Sequence, residues 1–226
     1  MLNKVDENGR MYKFITHTWN PIRGRCSHNC SYCYMKQIGW PVGESDSHFT
    51  ENCFNVNLGN NNYIFIGSSI DLFSESIPSE WISMILDYCN RFKNKYFFQS
   101  KNPRRFLEFI EHPIIKNSTL CTTIESNRCY IEMGNTPSIE ERILIMSKLS
   151  NEGFETHITI EPIMDFDLEE MLNIMKTCNP KQINIGVNSN PKRFPISEPD
   201  SNKAKELIIK LKDFFKVSVH NPKQKL

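Results

Sequence analysis

Residues 12–35 read YKFITHTWNPIRGRCSHNCSYCYM. The run YKFITHTW (12–19) predicts a strand, and that strand feeds a loop holding Cys26, Cys30 and Cys33. Three thiols closing on one loop can coordinate a metal, form disulfides or sit idle. The rest of the chain has to decide between these.

The chain has 226 residues, enough for one large domain or two small ones. Hydrophobic residues make up 39% and charged residues 23%, the composition of a soluble globular protein. No apolar run is long enough to span a membrane. The start, MLNKVDENGRMYKF, lacks the positive-then-apolar pattern of a signal peptide. A cytoplasmic chain is therefore expected, with reduced thiols, and clustered cysteines then read as metal ligands rather than disulfides. The net charge of +1 argues against a wholly basic nucleic-acid binder. The last 28 residues hold seven Lys against three acidic residues. This reads as a solvated helix face with a short basic tail, with attraction to phosphate as the alternative.

Short apolar runs alternate with helical patterns along the chain. After 12–19, strands are expected at 62–68, 95–101, 118–126, 155–162, 181–188 and 216–220. Helices are expected at 78–92, 102–112, 136–153, 167–178 and 200–215, with Pro103 in a first turn and Gly153 as a C-cap. Strands separated by helices indicate βα units and a parallel sheet. Six repeats plus a final strand are too few for a closed eightfold barrel. The expected α/β fold is an open, partial (βα)6 barrel of the TIM type, with a doubly wound sheet as the fallback.

The later strands are not uniformly apolar. Leu120 and Ile124 alternate with Cys121, Thr123 and Glu125, and Ile158 and Ile160 alternate with His157, Thr159 and Glu161. Ile183, Ile185 and Val187 alternate with Asn184, Gly186 and Asn188. With the aliphatic set under the helices, the polar set faces the lumen, which is expected to be wet or to hold a polar ligand. Glu125 and Glu161 sit near strand C-termini, where parallel-sheet enzymes place working groups. His157, deeper in its strand, reads as a satisfied core histidine.

The spacing Cys26-X3-Cys30-X2-Cys33 suits a soft metal or a cluster. Structural zinc needs four ligands, and His28 or His17 could supply the fourth, but a second CxxC pair is missing. Cys53, Cys89, Cys121, Cys129 and Cys178 are scattered. A [4Fe-4S] cluster on three thiolates keeps one iron open for an outside ligand. CxxxCxxC with Tyr32 before the last Cys, after the first strand of a βα repeat, resembles the radical S-adenosylmethionine superfamily. Further segments, TWNP (18–21), SSIDLFSE (68–75), FFQSKNPRR (97–105), TIES (123–126), ITIEP (158–162) and INIGVN (183–188), are similar in order and spacing to a phage-associated group with this chemistry. That group is more distantly similar to spore photoproduct lyase, a DNA repair enzyme. Ser100 stands where the group usually has Thr.

The resemblance implies a single radical S-adenosylmethionine domain over residues 1–226, its barrel covering about 12–220. It implies a [4Fe-4S] cluster on Cys26, Cys30 and Cys33 with S-adenosylmethionine on the open iron. Reductive cleavage would give a 5′-deoxyadenosyl radical that takes hydrogen from substrate, with an external electron donor of flavodoxin or ferredoxin type. Tyr32 is then expected near the adenine, and Ser68, Ser69 and Asp71 at the methionyl amino group. Glu125 and Ser126 fall at the ribose or carboxylate, and Glu161, Ile163 and Asn188 beside the adenine or the substrate. Lys101 and Arg104, on a basic loop, are candidates to hold a carboxylate or phosphate. Cys121 is a candidate hydrogen donor, although a lone Cys is more often a small buried hydrophobe. Trp19 is assigned to shielding the cluster, and GWPVGES (39–45) to a substrate lid. A nucleic-acid base or nucleotide is the expected substrate, a peptide or small molecule the alternative. A zinc-binding interaction module is the non-enzymatic reading.

Overall fold

The computed structural model describes residues 1–6, 9, 11–37 and 47–220. In chain order its elements are β1 (Leu2–Lys4), β2 (His17–Trp19), β3 (Ile22–Arg23), α1 (Tyr34–Gln37), β4 (His48–Phe49), β5 (Tyr63–Ile66), α2 (Ser79–Cys89) and β6 (Lys95–Gln99). Then follow α3 (Pro113–Lys116), β7 (Thr119–Thr123), α4 (Ile139–Asn151), β8 (Glu155–Ile160), α5 (Leu168–Cys178), β9 (Gln182–Ile185), α6 (Ser201–Lys212) and β10 (Lys216–Val219). Eight strands form one sheet in the order β1-β2-β5-β6-β7-β8-β9-β10. From β2 to β10 every neighbouring pair is parallel, and β1 joins the edge antiparallel to β2. Among the described residues β10 and β1 do not pair, so the parallel strands form an open, partial barrel.

The period-two alternation sets the layers. Ile64 and Ile66, Tyr96 and Phe98, Leu120, Ile158 and Ile160, and Ile183 and Ile185 point outward into one core with the helices. Helix α4 has Ile139, Ile145, Met146 and Leu149 on its buried stripe, and Ser138 caps it by accepting the Glu141 N–H at 3.2 Å. Trp19 belongs to this outer layer, fully buried, its ring centroid 5.4 Å from that of Tyr88 on α2. Its register opposite Ile66 turns it away from the lumen, which corrects the shielding role expected of it.

Two further expectations need correction. The first parallel strand starts at His17, not at residue 12. Residues 12–15 turn inward instead, and Tyr12 and Ile15 pack with Phe65, Phe97 and Cys121 in a second, inner cluster. The Tyr12 hydroxyl donates to Gln99 Oε1 at 2.9 Å and lies 3.0 Å from Thr159 Oγ1, while its ring stands 4.6 Å from that of His220. Tyr12 thus reaches strands β6 and β8 and the end of β10, and plugs the barrel. The middle and lower lumen are therefore packed, not wet. At the lower mouth Glu155 and Lys95 reach solvent, and Glu155 accepts from Lys95 at 3.0 Å and Thr119 at 2.7 Å. His157 is a core residue, with burial lowering its pKa to about 4, although its Nδ1 has no partner among the described residues. The second correction is at 102–112, where Pro103–Phe109 is a 3-10 helix rather than an α-helix.

Candidate metal and cofactor site

The cysteine loop leaves β3 through Gly24, whose φ of 119° explains the glycine, and ends in α1. It arches over the C-terminal ends of the strands. Cys30 is buried, Cys26 and Cys33 are half-buried, and all three thiols are free. His28 Nε2 lies 2.8 Å from Asp71 Oδ2, and the same oxygen accepts the Lys101 N–H at 2.8 Å. Asp71 Oδ1 accepts the Phe73 N–H at 2.9 Å. Burial pushes the Asp71 carboxyl up, but His28 and the donated hydrogen bonds outweigh it and hold it below its usual range. Asp71 thus fastens the cysteine loop to the ends of β5 and β6, and its lone pairs are largely spent. The pair with Asp71 engages only Nε2 of His28, and His17 Nδ1 is 2.9 Å from Thr16 Oγ1, on the outward register of β2.

Asn20, unassigned in the sequence reading although TWNP flagged it, orders the next stretch. Its Oδ1 accepts the Ser69 N–H at 2.9 Å and the Ser68 hydroxyl at 3.2 Å, and Tyr34 donates to the Ser68 carbonyl. Ser69 Oγ is buried and has no partner among the described residues. An orphaned hydroxyl next to three thiols is a cost that a bound polar ligand removes.

Opposite the loop lies a buried ionic cluster. Glu125, fully buried just past β7, accepts from Tyr32 and Lys101 at Oε1 and from Arg142 Nη1 at Oε2, 2.8 Å away. Arg142, on α4, also donates to the Thr123 carbonyl at 2.7 Å. Burial raises the Glu125 pKa, yet Lys101 and Arg142 overwhelm it and hold the carboxyl far below the usual range. Burial, together with the Glu125 charge, pushes Tyr32 well up. Glu125 is therefore a carboxylate enclosed by its own partners. Two cations against one anion leave this corner a net positive charge, and Lys101 is its partly accessible member.

At the far rim Glu161 follows β8. A Cβ on Gly186 would lie 2.4 Å from Glu161 Cδ, so this glycine is what lets the carboxyl lie across β9. No hydrogen bond to the Glu161 carboxyl is found among the described residues, and burial raises its pKa to about 7, with Lys101 pulling the other way. Ile163 is buried, its N–H bonded to the Gly186 carbonyl at 2.8 Å.

Several expected ligand contacts are otherwise engaged. Ser126 Oγ donates to the Asp165 carbonyl at 2.5 Å and accepts the Arg128 N–H at 3.0 Å. Asn188 donates to the Phe194 carbonyl at 2.6 Å and accepts the Asn190 N–H at 3.1 Å, organising its own loop. The side chain of Arg104, on the 3-10 helix, is 74% exposed and lies 3.9 Å from Glu141. Arg105 turns inward to the carbonyls of Ser74 and Ile77, each at 2.7 Å. Cys121 is fully buried beside Tyr12, with Sγ 3.3 Å from Thr159 Oγ1 and burial raising its pKa to about 12. That is the small-hydrophobe role, under the plug. Residues 39–45, read as a lid, lie outside the described residues.

The donor set fits an iron–sulfur cluster better than a single ion. Among the described residues no three His, Cys, Asp or Glu side chains converge on one point, as a mononuclear zinc requires. In a cluster each thiolate meets a different iron, so thiols on one loop need not converge.

The chain is similar in fold to spore photoproduct lyase. A spore photoproduct lyase variant with bound AdoMet and dinucleoside spore photoproduct superposes with a TM-score of 0.65 at 11% identity, covering 93% of this chain and 78% of that one. Streptococcus suis SuiB bound to S-adenosylmethionine follows at a TM-score of 0.58 and 12% identity, covering 90% of this chain and 50% of that one. SuiB has also been solved bound to the precursor peptide SuiA. No family model matches the sequence, and a search of curated proteins gives no match. Among the described residues no helix is long and apolar enough to cross a membrane.

Proposed function

We propose that this protein is a radical S-adenosylmethionine enzyme, as both fold neighbours are. The observation that carries the reading is the three-thiol loop arched over the mouth of the partial barrel, facing the net positive Lys101–Arg142–Glu125 corner. Cys26, Cys30 and Cys33 would hold a [4Fe-4S] cluster, losing their protons on binding. When bound, cluster and S-adenosylmethionine together supply a carbon-centred radical that abstracts hydrogen from substrate, the electron coming from an external flavodoxin- or ferredoxin-type donor.

The chain's own residues bind and orient. Ser69 Oγ, which has no partner among the described residues, offers a hydrogen bond to the cofactor's polar end, while the Ser68 hydroxyl is engaged with Asn20. Lys101 attracts a carboxylate or phosphate, while Arg142 holds Glu125 so that this charge does not cancel Lys101. Tyr32, wedged between the thiols and Glu125, offers a face to an adenine. The Tyr12 plug closes the lumen from below and confines the chemistry to the upper rim. Glu161, with its pKa raised to about 7, can offer a hydrogen bond to a neutral acceptor when protonated.

For substrate, a nucleic-acid base or nucleotide is the first reading, in line with the dinucleoside ligand of spore photoproduct lyase and the resemblance to the phage-associated group. A peptide is the second, in line with SuiB bound to its precursor peptide. The zinc-binding module is the third reading, and metal content separates it from the other two. Anaerobic reconstitution with iron and sulfide, then dithionite and S-adenosylmethionine, should give about four irons per chain and release 5′-deoxyadenosine. A colourless chain with one zinc, or no 5′-deoxyadenosine, would sink the reading. Salt-dependent binding of single-stranded DNA, against none for peptides, would favour the first substrate class.

A further inference from the structure

The cysteine loop follows β2 and β3, whereas the segment after β7 starts two strands further round, past β5 and β6. The two nevertheless meet across the barrel mouth. The Asn135 N–H donates to the His28 carbonyl at 2.7 Å, and the Ser31 N–H to the Glu132 carbonyl at 2.9 Å. Cys30 Sγ lies 3.2 Å from the Met133 carbonyl. Gly134, at φ 69°, presses on the loop so closely that a Cβ there would lie 2.2 Å from the His28 carbonyl oxygen and 2.9 Å from Asn29 C. The other end of this strap is tied down separately. Arg128 pairs with Asp165 and Asp167, and the Tyr130 hydroxyl donates to the Asp165 carbonyl at 2.9 Å. At its crest Ile131 is 94% exposed, so the strap is not held there by core packing. It is a bridge anchored at the β8–α5 loop and laid on the backbone between the first two thiols.

We propose that the strap formed by residues 130–135 is a retaining clamp for the cysteine loop, with Gly134 as its positioning residue, and that it governs how firmly the loop keeps its metal centre. This rests on the reading of that loop as a cluster site. Backbone-to-backbone bonds hold the loop at His28 and Ser31, next to the ligands but not through them. The clamp thus acts in the way outer-sphere partners orient ligands. It also explains the glycine: any side chain at 134 lifts the strap off His28 and Asn29.

The test uses the full reconstituted chain and iron retention under a chelator, measured by iron release over time. Gly153 provides the control, since it too has a positive φ, 89°, but nothing lies within 4 Å of a Cβ placed on it. Gly153→Ala therefore places an alanine at a positive φ without the contact. Gly134→Ala should lose iron roughly 10-fold faster than wild type, the usual size of an outer-sphere effect, while Gly153→Ala keeps it. Metal-free Gly134→Ala should melt below Gly153→Ala, with faster hydrogen exchange at Ser31 and Asn135 only in the former. Should Gly134→Ala not fold, Ile131→Gly with Glu132→Gly loosens the strap without adding an atom and should also speed iron loss. Equal retention in the two alanine variants, or unchanged retention in the loosened strap, overturns the clamp. A wild-type chain that takes up no iron overturns the cluster reading itself, and the clamp with it.

Discussion

Arg142→Met tests whether the Glu125 corner is held by charge. Arg142 and Glu125 have side chains 1% and 0% exposed and are 2.8 Å apart. Removing one partner of such a pair typically costs 3–5 kcal/mol, because the other charge stays buried. Here Lys101 still donates to Glu125, which argues for the low end, while the Thr123 carbonyl loses its Arg142 donor. About 3 kcal/mol is therefore expected, which at roughly 2–4 °C per kcal/mol lowers the Tm by about 6–12 °C for a chain of this size.

The pH dependence gives the sign. The folded pKa of Glu125 lies below its unfolded value, near 4.5. Its contribution is thus present above that pH and lost as pH falls through the folded pKa. The gap between wild type and Arg142→Met should be full at pH 7 and shrink below about pH 4.5, in thermal melts of the metal-free protein. Adding Glu125→Gln should recover part of the loss, since Lys101, at 17% exposure, still reaches water. If the double variant is as unstable as Arg142→Met, and the gap does not narrow in acid, the loss is one of packing and the charge argument fails.

The remaining predictions concern the lumen. Gly186→Ala should destabilise by about 1–3 kcal/mol through overpacking. Glu161→Ala added to it should remove most of that cost, because the clash is with this one side chain, and additive losses would refute the placement. Glu161 has a folded pKa raised to about 7, so its contribution is present below its unfolded pKa and lost as pH rises through 7. Glu161→Gln should therefore gain stability on wild type between about pH 5 and 8, and parallel pH curves would contradict it. Tyr12→Ala should cost ~3–5 kcal/mol by emptying the plug, checked by urea melts, and a loss under 1 kcal/mol would mean that the plug is not packed.

The parallel strands were legible because most alternate a hydrophobic outer set with a different inner set, a pattern that survives without knowing the partners. Residues 12–16 show why such a pattern can mislead. They alternate as a strand does, but the ladder with β5 begins only at His17, and the aromatic ring of Tyr12 finds more contact inside the barrel than on its edge. Arg142 was missed although its position carried a signal. It sits on the stripe of Ile139, Ile145, Met146 and Leu149, where an arginine needs a buried partner. Asp71, Ser126 and Asn188 fell at plausible rim positions, but only the coordinates show their lone pairs and protons spent on neighbouring loops.

These two misreadings bear on the chemistry together. A lumen packed by Tyr12 from below cannot hold a substrate at depth, so Cys121 and His157 are walled off from any reactant entering at the top. What remains open to a ligand lies within the upper rim: the cysteine loop, the orphaned Ser69 hydroxyl, Lys101, and the Glu161 carboxyl against Gly186. A soft-metal donor set and a cation stand on the β2–β6 side of that rim, and a carboxyl with its pKa raised to about 7 on the β8–β9 side. On the proposed reading, the cofactor would be held on the first side, and the residues that act on substrate should be sought among side chains lining that upper space rather than in the barrel's depth.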